Sequence, residues 1–183
     1  PNSPYSASKA AADLLAISYY KTHGLDVRIT RCCNNYGPKQ YPEKFIPLAI
    51  KNLKEGKKLQ VYGDGMNIRE WIHVEDHCLA IQEVIQKGES GEIYNIGGGA
   101  EITNKDLTTL ILNKMGKDIT NINYVPDRLG HDFRYSVSTN KIASNLDYKP
   151  QVKFEEGIDK TISWYIENQN WWRPLKSKSM AKS

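Results

Sequence analysis

The spacing of apolar residues changes repeatedly between a helical and a strand-like pattern, which predicts an alternation of helices and strands along the chain. Apolar positions at helical spacing predict helices over residues 5–22, 43–55, 73–87, 103–115, 139–146 and 154–168. Short runs rich in β-branched residues predict strands over residues 26–32, 59–62, 67–72, 92–96 and 122–125. Gly24 and Gly116 stand where two of these helices should end, and Thr103 is a typical N-cap. Because strands follow helices directly, we expect an α/β layer architecture with a parallel sheet.

The first predicted helix carries a pair of residues capable of acid–base chemistry. Tyr5 and Lys9 are four positions apart, so they lie side by side on one face of the helix. A nearby ammonium group stabilises the phenolate and lowers the pKa of a tyrosine toward the range of a general base. The same pair is also compatible with an exposed aromatic residue and an ordinary surface lysine, because this spacing is common by chance.

The segment 33–42 follows the first predicted strand and is predicted to be a loop. Ligands in open α/β sheets bind at the carboxyl ends of the strands, where Asn34 and Asn35 offer amide donors and acceptors. Asn, Gly and Pro also form plain turns, so binding and turn formation are equal alternatives here. Lys44 stands in the first turn of the next helix, where a cation is unfavourable unless an anion lies nearby. This position indicates a bound phosphate only weakly, since solvation explains it about as well.

Three further motifs have both a functional and a structural interpretation. The guanidinium of Arg69 matches phosphate oxygens, but a salt bridge to Glu70 or to another acid is the more frequent arrangement. The glycine run 97–99 follows a strand and could cradle phosphate, although it lacks the spacing of a dinucleotide fingerprint. His73 and His77 are four apart, but the neighbouring acids fall at the wrong places for a metal site. We therefore predict no bound metal.

The composition is that of an ordinary globular protein and narrows the possible partners. Of the 183 residues, 39% are hydrophobic and 25% are charged, and the net charge is +4. No apolar run approaches the roughly 20 residues of a membrane span, and no basic stripe interleaved with aromatics indicates nucleic acid. Three cysteines, two of them adjacent, fit a reducing cytoplasm better than a disulfide framework. Pro1 is not a translation start, so we expect a fragment or a processed product.

Several of these segments together resemble the extended short-chain dehydrogenase/reductase family. They are the helix opening at residues 4–9 (Pro-Tyr-Ser-Ala-Ser-Lys), the strand 27–31 and the run Asn-Asn-Tyr-Gly-Pro at 34–38. The resemblance implies that Tyr5 is the catalytic base, and that Lys9 holds the nicotinamide ribose of NAD and lowers the pKa of Tyr5. It also implies the fold class: α/β, the C-terminal portion of an extended short-chain dehydrogenase. That portion comprises the end of a Rossmann-type parallel sheet and a smaller α/β substrate-binding domain.

The same resemblance divides the chain into three regions. Residues 1–32 match a remnant of the NAD-binding Rossmann domain, with the catalytic helix and the strand that follows it. Residues 33–174 match mainly the sugar-nucleotide-binding region, with some segments returning to the Rossmann sheet. Residues 175–183 form a tail rich in Ser and Lys that we expect to be disordered.

Further motifs resemble one branch of this family, the dTDP-glucose 4,6-dehydratases. They are the runs at residues 41–44, 62–65, 69–71, 94–98, 127–132 and 171–172. The resemblance implies conversion of dTDP-glucose to dTDP-4-keto-6-deoxy-glucose and water, with NAD recycled internally. It implies that Asn34 contacts the sugar nucleotide and that Asn35 contacts the nicotinamide end of NAD. The residues that it implies for the nucleotide and its pyrophosphate are Lys44, Phe45, Gln60, Val61, Tyr62, Arg69, Asn104, Arg128, His131 and Asp132.

The sequence also departs from the pattern of that branch. The acid–base pair for dehydration, an Asp-Glu dipeptide after a Thr, and the glycine-rich NAD loop both precede the tyrosine and are not in this sequence. Leu129 replaces a frequent proline, and Phe133 replaces a frequent basic residue. We therefore expect the chain by itself to lack NAD affinity and turnover, and to bind nucleotide weakly at best.

Two alternatives remain open at this point. A nucleotide-sugar epimerase or decarboxylase of the same fold would share Tyr5, Lys9 and the run at 34–38. A non-catalytic module that binds a nucleotide sugar or supports assembly would explain the missing cofactor half. The family also forms homodimers through the first helix, and Leu14 and Leu15 could serve such a contact or simply belong to the core.

Overall fold

The structure is a computed structural model that describes residues 1–180, with side chains to residue 175. Its helices are α1 (Pro4–His23), α2 (Phe45–Lys54), α3 (Val74–Lys87), α4 (Asn104–Lys114), α5 (Asn140–Leu146), α6 (Phe154–Glu167) and α7 (Gln169–Met180). Its strands are β1 (Ile29–Cys32), β2 (Asn34–Tyr36), β3 (Leu59–Tyr62), β4 (Ile68–His73), β5 (Ile93–Ile96), β6 (Ala100–Thr103), β7 (Ile122–Val125) and β8 (Arg134–Tyr135). The predicted α/β class is confirmed, since helices and mostly parallel strands share the chain.

β4 is the central strand of the largest sheet in the described residues. Its first part pairs antiparallel with β6 and parallel with β8, and its last part pairs parallel with β2. Two further parallel pairs form between β1 and β5 and between β3 and β7. Only one residue separates β1 from β2, and β2 pairs with β4. The end of β1, where we predicted ligand binding, therefore lies next to the largest sheet.

Helix α1 lies against the rest of the chain without burying a residue. It begins cleanly, because the Ser3 hydroxyl accepts the backbone N–H of Ser6, and it ends at Gly24, whose φ of 65° is left-handed. An ion pair of 2.6 Å joins Asp13 of α1 to Arg31 of β1. The helix therefore exposes both the Tyr5–Lys9 pair and its apolar residues to solvent.

Two hydrophobic clusters lie among the residues whose side chains are described, and β4 contributes to both. The first cluster lies between α2, α4 and α6 and contains Trp71, and the second lies between α3, α5 and β5 and contains Ile72. Adjacent residues of a strand point to opposite faces, so β4 has one cluster on each side. The strand thereby connects the two halves of the core.

Helix α6 has a notch that receives a side chain of β2. A Cβ on Gly157 would lie 2.2 Å from the hydroxyl of Tyr36, so only glycine fits at this position. Tyr36 is 1% exposed, and its hydroxyl donates to the carbonyl of Phe154 at 3.3 Å. This contact fixes the strand that carries Asn34 and Asn35.

The structure contains elements that the sequence pattern did not predict. The predicted loop 33–42 begins with strand β2, and β6, β8 and α7 are additional. Strands β2 and β8 have three and two residues, which is too short to show a hydrophobic period. Helix α7 continues to Met180 through much of the expected tail, and residues 181–183 lie outside the described residues.

The two tryptophans near the C-terminus anchor α7. Trp172 is 2% exposed, and its indole N–H donates to the carbonyl of Tyr165 at 2.9 Å. Trp171 is 37% exposed and packs edge-on against Trp164. The docking explains why the chain remains helical beyond α6.

Within residues 1–180, no helix combines the length and the apolar character that crossing a membrane requires.

Candidate active site

The Tyr5–Lys9 pair stands on the first turns of α1, open to solvent. Tyr5 is 74% exposed, and Lys9 is also exposed. The preceding Ser3 cap and Pro4 start the helix at this point, so both side chains project from its N-terminal end. The pair therefore keeps the spacing that acid–base chemistry needs and is accessible to a ligand.

The segment between β7 and β8, residues 126–133, brings a cation and an aromatic ring together; we call it the β7–β8 loop. The guanidinium of Arg128 lies 5.0 Å from the centre of the Tyr62 ring. Arg128 also bonds to Nε2 of His131 at 3.0 Å, and Nδ1 of His131 bonds to Asp127 at 2.7 Å. An aspartate on Nδ1 leaves Nε2 free to accept, so the chain of contacts orients Arg128.

The charges of this loop act on Asp127 as well. The hydrogen bond from His131, together with the backbone N–H of Arg128, holds the pKa of the Asp127 carboxyl below its ordinary value. Asp127 therefore stays ionised at neutral pH and continues to orient His131.

Arg69 reaches the same loop from β4. Its guanidinium donates to the carbonyl of Asp132 at 2.7 Å and to the carbonyl of Ile68 at 2.7 Å. Burial lowers the pKa of Arg69, while Asp132 and Asp127 oppose that effect and Arg128 adds to it. Arg128 within the loop and Arg69 beside it form a positive site suited to a pyrophosphate.

The loop also reaches the start of α1. A Cβ placed on Gly130 would lie 3.5 Å from the carbonyl oxygen of Asn2, which is three residues before Tyr5. The positive site and the Tyr5–Lys9 pair thus belong to one continuous surface. A ligand that spans an anionic group and a reacting sugar could contact both.

Asn35, the second of the two asparagines after β1, lines a cavity of about 470 Å³. Nδ2 of Asn35 donates to the carbonyl of Cys33 at 3.2 Å, whereas its Oδ1 is buried without a partner among the described residues. Gln40 donates to the carbonyl of Asn35 at 2.8 Å, and its own Oε1 is likewise buried and unpartnered. Both residues line the cavity, so it presents acceptors suited to a ligand with amide donors. Asn34 lies in β2, partly exposed and opposite Trp71.

The remaining predicted nucleotide contacts occupy different environments. Lys44 occupies the N-cap position of α2 without a side-chain capping bond, and it pairs with Glu43 at 3.2 Å. The ring of Phe45 packs on Trp71 and Val61 is 2% exposed, so these side chains belong to the interior. Gln60 is exposed on β3 beside Tyr62, and Asn104 begins α4.

The structure decides between the functional and structural interpretations of Arg69 and of the glycine run 97–99. Glu70 is 3% exposed and accepts the backbone N–H of Gly99 at 2.9 Å and that of Val137 at 2.9 Å. Arg69 bonds to carbonyl oxygens, so the Arg69–Glu70 salt bridge is not the arrangement adopted. A Cβ on Gly98 would lie 2.1 Å from the carbonyl oxygen of Trp71. The glycine run 97–99 therefore packs closely on β4, and an N–H that a phosphate would need is bonded to Glu70.

His73, the first histidine of the pair, has a structural contact. His73 is 2% exposed and accepts the N–H of Glu75 at 3.4 Å through Nδ1, so it caps α3. In residues 1–180, no group of three or more His, Cys, Asp or Glu side chains is arranged to hold a metal ion.

Sequence reasoning missed Tyr135, which links the β7–β8 loop to the end of β1. Its hydroxyl donates to the carbonyl of Cys32 at 2.9 Å. Burial raises the pKa of Tyr135, and the neighbouring Cys32, Cys33 and Tyr5 raise it further. The only sequence signal was an aromatic residue directly after a charged loop, which does not identify a contact 103 positions away.

Comparisons with known proteins agree with this geometry. The family profile described as "GDP-mannose 4,6 dehydratase" matches residues 1–161. The dTDP-glucose 4,6-dehydratase of Streptomyces antibioticus is 56% identical over 178 residues, which are 97% of this chain and 53% of that protein.

Solved structures show the same likeness. DesIV, the dTDP-glucose 4,6-dehydratase of Streptomyces venezuelae with NAD and TYD bound, is 56% identical with a TM-score of 0.94 over 96% of this chain and 54% of its own. The UDP-glucose 4-epimerase of Thermotoga maritima, solved with UDP-glucose, is 26% identical with a TM-score of 0.84 over 91% of this chain and 54% of its own. The chain thus spans about half the length of the proteins that it matches.

Proposed function

The chain belongs to the GDP-mannose 4,6-dehydratase family, and from this membership we propose that it forms the nucleotide-sugar-binding part, with the catalytic helix, of a dTDP-glucose 4,6-dehydratase. The parent enzyme would be an NAD-dependent lyase that makes dTDP-4-keto-6-deoxy-glucose and water. The observation that carries the proposal is the position of the β7–β8 loop. It holds Arg128 over Tyr62 while its tip reaches the chain just before Tyr5.

The residues of the chain have distinct roles in the proposed reaction. As a phenolate, Tyr5 accepts the proton of the sugar 4-hydroxyl, and the ammonium of Lys9, one turn away, stabilises that phenolate before the transfer. Arg69 and Arg128 bind the pyrophosphate, and Tyr62 and His131 orient Arg128 for that contact. Asn34 contacts the sugar nucleotide. The other residues assigned to the nucleotide by resemblance, which are Lys44, Phe45, Gln60, Val61, Asn104 and Asp132, complete the proposed site.

The donors and acceptors of the chain fit the nicotinamide end of NAD. The unpartnered Oδ1 of Asn35 can accept an amide N–H, and Lys9 offers donors to a ribose. The chemistry that a bound NAD supplies is hydride uptake from C4 and hydride return to C6 after water is lost across C5–C6. Asn35, Tyr5 and Lys9 are the residues that we assign to it.

The alternatives differ in how well the comparisons support them. The matched dehydratase of Streptomyces antibioticus is 56% identical, whereas the UDP-glucose 4-epimerase is 26% identical. The higher identity supports the dehydratase over an epimerase or decarboxylase. A non-catalytic module is disfavoured by the retained Tyr5–Lys9 pair, which binding alone does not need.

We also propose a homodimer through α1 and a cytoplasmic location. Leu14 and Leu15 are 72% and 60% exposed, which is an apolar surface suited to a second copy of the helix. The cysteines Cys32, Cys33 and Cys78 are free thiols, as expected in a reducing compartment.

Calorimetric titration of this chain with dTDP-glucose tests the binding part of the proposal. We expect weak binding that Arg69→Ala abolishes, because the substitution removes a phosphate partner and frees the β7–β8 loop. Arg173→Ala is the matched control, since Arg173 is exposed on α7 and bonds to Gln169. A chain that is folded by circular dichroism but does not bind, or that binds equally with Arg69→Ala, contradicts the site assignment.

A turnover assay on the same sample separates binding from catalysis. With NAD and dTDP-glucose we expect no 4-keto product, because Tyr5 is 74% exposed and the dehydrating acid–base pair is not in this sequence. Formation of product by the chain alone would show that its own residues suffice.

A further inference from the structure

The β7–β8 loop buries no apolar side chain. The imidazole of His131 is 5% exposed, but its partners are Asp127 and Arg128, and Leu129 and Phe133 are 103% and 66% exposed. Apolar packing therefore cannot define the place of Arg128 and His131. Their position depends on hydrogen bonds that fasten the loop to its neighbours.

Asn67 fastens the loop where it enters β8. Its side chain is in a residue that is only 6% exposed, and Nδ2 donates to the carbonyl of Asp132 at 3.3 Å. The next residue continues the attachment, since the N–H of Ile68 donates to the carbonyl of Phe133 at 2.7 Å. The carbonyl of Asn67 also accepts the N–H of Asn104 at 3.0 Å. One residue thus connects the loop to the start of α4.

Glu70 fastens the same segment after β8. Its Oε2 accepts the N–H of Val137 and its Oε1 accepts the N–H of Gly99, each at 2.9 Å. A buried carboxylate without its donors is costly, so the two backbone groups are held firmly to it. The segment 132–137 is therefore attached to β4 at both ends, by Asn67 and by Glu70.

Arg69 contacts the same carbonyl of Asp132 as Asn67 does, at 2.7 Å. A guanidinium that turns toward a phosphate gives up contacts with the protein. Asn67 has no charge to offer an anion, so it can keep Asp132 in place while Arg69 binds the ligand.

We propose that Asn67 and Glu70 are positioning residues that clamp the segment 132–137 to β4, so that Arg128 and His131 meet a nucleotide pyrophosphate in a loop that is already ordered. This rests on the nucleotide-binding role proposed above. The clamp would spare the ligand the cost of ordering the loop.

Titration with dTDP tests the clamp through Asn67→Ala and Glu70→Gln. Each substitution removes one attachment, and Glu70→Gln does so at nearly constant volume; we expect roughly tenfold weaker binding from either. The matched controls are Asn113→Ala on α4 and Glu156→Gln on α6, both exposed, for which we expect unchanged affinity. Unchanged affinity in a folded Asn67→Ala variant would overturn the proposal.

A double-mutant cycle distinguishes positioning from a general structural role. If Asn67 acts through Arg128, then Arg128→Ala should cost less affinity in the Asn67→Ala background than in the wild type. An equal cost in both backgrounds would show that Asn67 only supports the fold.

Amide hydrogen exchange on the wild-type chain tests whether the loop is ordered without ligand, even if the variants do not fold. We expect the N–H groups of Ile68 and Val137 to exchange slowly without ligand, because both are bonded across the clamp. Fast exchange that slows only when dTDP is added would overturn an ordered loop. If the folded wild type does not bind dTDP, the proposed function is contradicted, and the exchange result still tests the clamp separately.

Discussion

At the scale of single residues, the burial of His73 makes the free energy of unfolding depend on pH. Burial lowers the pKa of His73 below its ordinary 6.5; Lys160 adds to this effect, while Glu75 and Asp76 oppose it. Burial lowers the pKa of His77 in the same direction. Both histidines are therefore held neutral in the fold.

The free energy of unfolding should consequently fall as the pH falls below about 6.5. The unfolded chain takes up protons there, whereas folded His73 and His77 do so only at lower pH, so the unfolded state binds more protons. Urea unfolding at about pH 7.5 and about pH 5.5 measures the difference. His73→Asn should reduce it, because Asn can still cap α3 and does not titrate. An equal pH dependence in the variant would show that His73 does not contribute.

The residues that carry chemistry differ in how far their roles could be predicted from sequence. Tyr5 and Lys9 could be paired because they lie one helical turn apart. Arg69 could be recognised as an anion partner by its residue type, but its bonds to Asp132 could not. The roles of Glu70 and Tyr135 depend on contacts 67 and 103 positions away, for which a single sequence has no local signal.

At the scale of elements, α1 is unusual because it carries the Tyr5–Lys9 pair but adds no buried residue to the hydrophobic core. Its residues are all at least partly exposed, including Leu14 at 72%. We expect Leu14→Glu to leave the free energy of unfolding within about 0.5 kcal/mol of the wild type, since no buried contact is lost. The same change should reduce self-association, because it places a charge on the apolar surface of the proposed dimer.

Light scattering after size-exclusion chromatography, together with urea unfolding, checks both parts. Gln82→Glu on α3 is the control, since Gln82 is exposed and the change adds the same charge away from α1. Loss of stability in Leu14→Glu would mean that α1 is packed more closely than its exposure indicates, and unchanged association would argue against α1 as the interface.

Elements with strong end signals were predicted, and those without them were missed. Thr103 accepts the N–H of Asp106 at 3.0 Å, as its N-cap position predicted, and Gly24 ends α1 in a left-handed conformation. The predicted boundary after residue 32 was not tested and stays a prediction. Strands β2 and β8 have three and two residues and exist only through pairing with β4. Local sequence therefore determined the helix ends, whereas tertiary pairing determined the short strands.

At the scale of the whole molecule, β4 contributes to both hydrophobic clusters, so we expect them to unfold as one cooperative unit. Ile142 belongs to the second cluster, whereas Trp71 and Trp172 belong to the first. Ile142→Ala should lower the free energy of unfolding by about 2–5 kcal/mol, because Ile142 is 1% exposed. The tryptophan fluorescence should report this loss although no tryptophan belongs to the second cluster.

Urea unfolding followed by fluorescence and by far-ultraviolet circular dichroism provides the measurement. Coincident midpoints, both shifted by Ile142→Ala, would establish a single transition. Ile119→Ala is the control, since Ile119 is 70% exposed. If Ile142→Ala does not shift the midpoint of the fluorescence transition, the two clusters unfold separately.

Because of the notch at Gly157, any redesign of the binding site has to take helix α6 into account. Tyr36 fills the notch, and it is continuous in β2 with Asn34 and Asn35. Varying position 157 would therefore move the asparagines without touching a ligand. A combinatorial library aimed at new sugar substrates should group residue 157 with residues 34 and 35, not with the other positions of its helix.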